Sequence, residues 1–302
     1  MPFMKVLITG ALGFIGRALT EYLGQRGHEL RLLDIADPTA VSIYNPLKHE
    51  RETRSLKLDW PFVRGEITDP LAVAEAMRDV EAVVHLGGIP VNIPDQGATI
   101  FRTNALGTFV VLDEARKAGV ARCICASSVN AFGTFYWRLS RHPIPYTRLP
   151  LDEEYPPAPE DPYSLSKLVT EETCAAFHRG YGMTTAALRF TWVWPEEMYQ
   201  RARGDLKVTD QWHDDLFSWL HVQDAAEGIE QALLCPDLPG YGAYNMCASD
   251  TCWPEPTVDL LERFRPDLLP ALTRPLQGRE SLLSIDKARC TFGFSPRYRL
   301  GD

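Results

Sequence analysis

Thr9-Gly10-Ala11-Leu12-Gly13-Phe14-Ile15-Gly16 joins the β-branched run Lys5 to Thr9 to the helical pattern Phe14 to Arg26. Three glycines at a helix entry are more than a turn requires. Without Cβ atoms they let the backbone turn sharply, approach a pyrophosphate, and aim helix N-terminal N–H groups at its charge. The next run, Glu29 to Asp34, ends on a carboxylate placed to accept from adenosine ribose hydroxyls. That carboxylate repels a 2′-phosphate and no arginine directly follows it, so the expected cofactor is NAD rather than NADP. Gly10, Gly13, Phe14, Ile15, Gly16 and Asp34 are the candidate cofactor residues here.

Outward from this stretch the first half keeps the same beat. Phe62 to Ile67 and Leu71 to Arg78 read as a further strand and helix, Ala82 to His85 and Arg122 to Ala126 as buried strands, and Thr99 to Ala118 as the amphipathic helix between them. This is the pattern of a doubly wound parallel Rossmann sheet, an α/β fold. A helix at Tyr163 to Arg179, a strand at Thr184 to Phe190 and a helix at Val222 to Leu234 extend it. Residues 1–190, which also receive about 212–234, are expected to form the nucleotide domain, with 191–302 mainly a small, interleaved α+β C-terminal cap for substrate. Between Gly133 and Pro162 the prolines break all periodicity, and 134–150 reads as a surface loop able to act as a lid.

Lys and Arg number 31 against 40 Asp and Glu, a formal net charge of −9 with no basic block, which gives a nucleic-acid partner no electrostatic support. No apolar run is long enough to span a bilayer and no export signal precedes the first strand, so a cytoplasmic protein is expected. The seven cysteines suit reduced thiols, and Cys123 and Cys125 alternate within a strand rather than taking a metal-knuckle spacing, so no metal site is expected.

Tyr163-Ser164-Leu165-Ser166-Lys167 puts a phenol and an ammonium on one helix face. A free tyrosine titrates near pH ~10, too high for a base at neutrality, and a fixed positive charge nearby favours the phenolate. The pair follows the glycine loop and the Ser127-Ser128 step that ends a strand, where open parallel sheets place their chemistry. Ser128, Tyr163 and Lys167 are the candidate catalytic residues.

The chain resembles an extended short-chain dehydrogenase/reductase of the NAD-dependent epimerase/dehydratase family over nearly its whole length. The resemblance is carried by Gly10, Gly13 and Gly16 in a G-x-x-G-x-x-G spacing, Asp34, Gly65-Glu66-Ile67-Thr68-Asp69, His85-Leu86-Gly87-Gly88, Asn104-Ala105-Leu106-Gly107-Thr108, Ala126-Ser127-Ser128, Tyr163 with Lys167, Leu188-Arg189-Phe190, and His221-Val222-Gln223-Asp224. It implies Tyr163 as general acid/base, Lys167 on the nicotinamide ribose and Ser128 on the reacting oxygen. It also implies Glu66 and Ile67 at the adenine, Leu86, Gly87, Gly88 and Asn104 along the cofactor, and dimerisation through two helices. Ile89, Asn130 and Arg189 are candidate substrate contacts.

Two departures bear on substrate. Nucleotide-sugar epimerases of the group commonly carry a diphosphate-binding arginine four residues before His-Val-x-Asp, where this chain has Phe217. The stretch between Ser128 and Tyr163 is longer than usual and contains Tyr136, Trp137, Arg138, Arg141, His142 and Arg148, able to meet an anionic or hydroxylated substrate or to remain a solvated loop. His85-Leu86-Gly87-Gly88-Ile89 with Ala126-Ser127-Ser128 is similar to uronate dehydrogenases, which oxidise a free sugar acid at C1. Trp192, Trp194, Trp212 and Trp219 are expected mainly in packing, with sugar stacking open to one of them. Three functions stay open: dehydrogenase of a sugar, sugar acid or polyol; nucleotide-sugar epimerase or dehydratase on tightly held NAD; and a non-catalytic NAD-responsive binder, which the intact Ser128, Tyr163 and Lys167 disfavour.

Overall fold

The computed structural model describes residues 3–135, 138–140 and 144–301. Tyr136, Trp137, Arg141 and His142 of the expected lid lie outside the described residues. In chain order the elements are β1 (Lys5–Thr9), α1 (Phe14–Gln25), β2 (Glu29–Asp34), β3 (Val41–Asn45), β4 (Glu50–Arg54), β5 (Phe62–Arg64), α2 (Pro70–Ala76) and β6 (Ala82–His85). Then come α3 (Gly97–Phe101), α4 (Gly107–Lys117), β7 (Arg122–Ser128), α5 (Pro162–Tyr181), β8 (Thr184–Phe190), β9 (Trp192–Trp194) and α6 (Glu196–Gly204). β10 (Trp219–His221), α7 (Val222–Leu234), β11 (Tyr241–Met246), α8 (Thr257–Phe264) and α9 (Asp286–Phe292) complete the chain.

The central sheet has seven strands in the order β11-β8-β7-β6-β1-β2-β5, every pair parallel. Its strands are apolar on both faces, as Val6-Leu7-Ile8 and Ala82-Val83-Val84 show, because helices cover both. The two layers are distinct: Leu19 and Leu23 of α1 and Ile229 and Leu233 of α7 pack on one face, Val111, Leu112 and Ala115 of α4 with Cys174 and Phe177 of α5 on the other. The order reverses between β1 and β6, so the crevice at the C-terminal strand ends lies beside Gly10 and Gly87.

The structure corrects the expected layout in four places. A charged hairpin, β3–β4, stands between β2 and β5 with little buried side chain. The single helix expected over Thr99 to Ala118 is α3 and α4 joined by a π-helical turn, Arg102–Leu106, a local insertion often found at functional sites. β11, within the expected cap, belongs to the main sheet. The end of the expected lid is core: Leu149, and Leu151 just past it, are fully buried, and their N–H groups donate to Ala271 and Leu282 carbonyls, both at 2.7 Å. What remains of the cap is the small parallel pair β9–β10, α6, α8 and α9. Among the described residues no helix is long and apolar enough to cross a membrane.

Candidate active site

The glycine loop is held by the strand ends around it. Gly10 has φ +68°, and a Cβ there would meet Gly87 N at 2.7 Å, so glycine serves both the turn and the close approach of the two loops. Gly13 caps α1 without any side-chain hydrogen bond, leaving the first-turn N–H groups of Phe14 and Ile15 for an incoming anion. Asp34 is buried, and its carboxylate accepts from Leu12 N–H and Ala36 N–H, both at 2.9 Å. It therefore fixes the loop and keeps lone pairs for a ribose. An uncapped helix end beside a buried carboxylate fits a dinucleotide.

The loop after β6 forms the next wall. Gly88 takes φ +156°, and a Cβ on it would come within 2.9 Å of Asn104 Oδ1. Asn104 sits in the π turn and grips both sides: Oδ1 accepts from Ile89 N–H at 2.8 Å, while Nδ2 donates to the Ile89 carbonyl at 3.0 Å and to Ser166 Oγ at 2.9 Å. Both amide protons are used within the protein. Asn104 is thus a clamp between the cofactor wall and α5, a correction to its expected cofactor contact. Ile67 is buried among the second core layer, and Glu66 is exposed and accepts from Thr68 Oγ1 at 3.1 Å. Leu86 is half-buried against the first core layer.

α5 presents the chemistry. Asp161 caps it, accepting from Tyr163 and Ser164 N–H at 2.9 and 3.0 Å, with Pro162 at the first helical position. This cap went unread in the sequence, although Asp-Pro before a helical run is its signature. Tyr163 and Lys167 are both buried on the face turned to β7. Ser128, the last residue of β7, bonds the Tyr163 phenol, and Lys167 Nζ donates to the Ala126 carbonyl at 2.9 Å, 5.8 Å from the Tyr163 ring centre. Burial pushes the phenol up to about 12, partly offset by the Ser128 bond, and pushes Lys167 down to about 8. Contrary to the expectation that Lys167 lowers the phenol, burial dominates it, and the group is protonated at neutral pH.

On the substrate side, Asn130 donates through Nδ2 to Ser128 Oγ at 3.1 Å, while its buried Oδ1 has no protein partner. Thr134 Oγ1, six residues past Ser128 and unremarked in the sequence, is likewise buried and unpartnered. Arg189 is tied into the protein on one side. It forks onto Glu171, with Nε and Nη2 at 2.8 and 2.7 Å from the carboxylate oxygens, and lies 4.3 Å over the Phe132 ring, while its buried Nη1 has no protein partner. The same Glu171 accepts from Ser127 Oγ at 2.6 Å. Phe217 is fully buried against Trp212 and His213. Arg148 pairs with Asp152 at 2.6 Å, and Arg138 lies between Glu160 and Asp214. His213 and His221 are packed: His213 stacks on Trp253, and His221 stacks on Tyr298 and accepts from Gln223 N–H at the start of α7.

A family model for the NAD-dependent epimerase/dehydratase family matches residues 6–247. The chain belongs to that family. Curated relatives include a uronate dehydrogenase of Pseudomonas syringae pv. tomato, 29% identical over 83% of this chain and 78% of that one. A dTDP-glucose 4,6-dehydratase of Streptomyces niveus is 27% identical over 76% and 69%. Among solved structures, a short-chain dehydrogenase/reductase superfamily protein from Agrobacterium tumefaciens with bound NAD superposes with TM-score 0.68 at 23% identity, over 98% of this chain and 93% of that one. Glucuronic acid dehydrogenase from Chromohalobacter salexigens superposes with TM-score 0.66 at 23% identity, over 98% and 85%. The protein is an NAD-dependent enzyme of the extended short-chain dehydrogenase/reductase type, with the Rossmann sheet of that group.

Proposed function

We propose that this family member is a dehydrogenase that transfers hydride from a hydroxyl-bearing carbon of a free sugar, sugar acid or similar polyol to dissociable NAD. The observation that carries the reading is Phe217. Its ring is buried against Trp212 and His213, so the position at which nucleotide-sugar enzymes of the group commonly carry a diphosphate-binding arginine holds an apolar side chain instead. The uronate dehydrogenase relatives support the same substrate class.

Gly10, Gly13, Phe14, Ile15, Gly16 and Asp34 would hold the pyrophosphate and adenosine end of NAD, Glu66 and Ile67 its adenine, and Leu86, Gly87, Gly88 and Lys167 the nicotinamide half. When bound, NAD supplies a cationic ring that takes up hydride. Ser128 Oγ and Tyr163 Oη converge on one point, where a substrate hydroxyl would sit. Tyr163 would take up its proton as the phenolate, the form that positive charge on Lys167 Nζ and on the bound nicotinamide favours over the protonated phenol of the cofactor-free protein. Asn130 Oδ1, buried beside Ser128 and without a protein partner, would accept from a second hydroxyl, with Ile89 a further candidate contact. Trp192 is 48% exposed and two residues past Phe190, whose carbonyl lies 3.5 Å from Ser128 Oγ; it serves as a platform for the apolar face of a sugar ring.

The protein acts as a homodimer in the cytoplasm. Phe101, Leu106 and Phe109 on α3–α4 and Leu165 on α5 are exposed apolar side chains of the adjoining helices that a second copy would cover, and seven free thiols suit a reducing compartment. Light scattering on size-exclusion fractions should give a dimer mass, reduced to a monomer by Phe109→Glu.

The test is a panel of free sugars, uronic acids and polyols with excess NAD, read by NADH absorbance. NADH should form in proportion to one or a few of them. Protein that purifies with one NAD per chain and converts UDP-sugars without net NADH would instead establish an epimerase.

A further inference from the structure

His85 ends β6, buried between the glycine loop and α4. Its Nδ1 is 2.7 Å from Thr9 Oγ1 and its Nε2 is 3.2 Å from Thr108 Oγ1. The protons on these groups settle the direction of each bond. Thr9 Oγ1 accepts from Gly87 N–H at 3.2 Å and has both a lone pair and a proton left for His85 Nδ1, so the direction of that bond follows from the proton at the other ring nitrogen. Thr108 donates to the Asn104 carbonyl at 2.8 Å and must accept from His85, which puts the imidazole proton on Nε2. Burial, and then the charge of Lys167, push the imidazole down to about 3, so it is neutral at physiological pH.

The chain of contacts continues. Asn104 Nδ2 donates to Ser166 Oγ at 2.9 Å, and Ser166 Oγ donates to the Tyr163 carbonyl at 2.7 Å. An unbroken series therefore runs from the glycine loop, through His85 and the π turn, to the first turn of the helix that carries Tyr163. An apolar side chain of the same size would fill the space but leave two buried threonine hydroxyls short of a partner.

We propose that His85 is a positioning residue whose neutral Nε2–H form ties the seat of the pyrophosphate to the helix presenting Tyr163, so that one side chain sets both cofactor affinity and catalytic geometry. Its turnover readout rests on the dehydrogenase reading; its affinity readout does not. The test compares His85→Asn, His85→Gln and Thr108→Val in the full chain. Asparagine puts a carbonyl where Nδ1 was and keeps the Thr9 bond, whereas glutamine puts an amide N–H where Nε2 was and keeps the Thr108 bond. NAD dissociation constants come from tryptophan fluorescence quenching, kcat from the active sugar at saturating NAD, and folding from the melting temperature.

His85→Asn and Thr108→Val should leave NAD affinity within about twofold and lower kcat about tenfold. His85→Gln should weaken NAD about tenfold and hold kcat within about threefold. Variants that lose melting temperature alone, or shift affinity and kcat together whichever end of the bond is kept, would overturn the proposal. If no sugar is oxidised, the dehydrogenase reading fails, and equal NAD affinities for the Asn and Gln variants would still reject the role of His85.

Discussion

The cofactor wall of the crevice and the C-terminal part of the chain are built differently. The cofactor wall is made from neighbours in sequence: strand, glycine turn, helix and the carboxylate closing the next strand, with Asp34 bonding a loop N–H that the same motif supplies. The C-terminal part of the chain is assembled from distant pieces. Asp224 accepts from Arg297 and Tyr298 N–H at 3.0 and 3.1 Å, Asp250 from Leu300 and Gly301 N–H at 2.8 and 3.0 Å, and Asn245 donates to carbonyls of Leu151 and Ser284. A pyrophosphate is recognised by backbone N–H groups that any such turn provides, whereas a particular sugar needs a cap whose side chains no local motif specifies.

Variants can break this contrast. Tyr163→Phe keeps the ring and its packing but removes the proton-transfer group, so turnover should fall by about 10²–10⁴-fold with NAD affinity within about twofold, measured by steady-state kinetics and fluorescence titration. Gly10→Ala acts on the cofactor wall. A Cβ at a φ of +68° beside Gly87 should abolish NAD binding in calorimetry and cost about 1–3 kcal/mol of stability in denaturant melts. Asp250→Ala should destabilise the cap by about 1–3 kcal/mol while leaving NAD affinity unchanged, since the N–H groups it releases lie far from the glycine loop in the chain.

Lys167 gives the contrast a pH dependence. Its folded pKa of about 8 lies below the 10.5 of an exposed lysine, so burial costs stability in full below about 8, and the cost is relieved as pH rises toward 10.5. Lys167→Met should therefore be more stable than the parent at pH 7, by on the order of 1–3 kcal/mol, with the difference shrinking across that window in melts at stepped pH. Turnover should be lost in the same variant. The smallest effect is at the rim: Trp192→Ala should raise KM about three- to tenfold with kcat nearly unchanged, the size of an aromatic contact.

Legibility in the sequence followed the same division. Glycine loop, Asp34, Ser128 and the Tyr163–Lys167 pair were readable because each is a local pattern placed by strand and helix ends, and strand Thr184–Phe190 and helix Val222–Leu234 emerged with their boundaries. The β3–β4 hairpin was hidden because its second strand, Glu50–Arg54, is charged and solvent-facing, with no apolar alternation to betray it. The π turn at Arg102–Leu106 changes hydrogen-bond register without changing composition. The Arg189–Glu171 pair was hidden because Glu171 lies on another element, and only the packing of α5 on β8 brings the charges together.

The most direct test follows the hydride. The active sugar carrying deuterium at the oxidised carbon should deliver that deuterium to NAD, with labelled NADH released in equal amount to oxidised product by mass spectrometry. Deuterium returned to a stereoisomer of the sugar, with no labelled NADH in solution, would contradict a dehydrogenase and make the enzyme an epimerase.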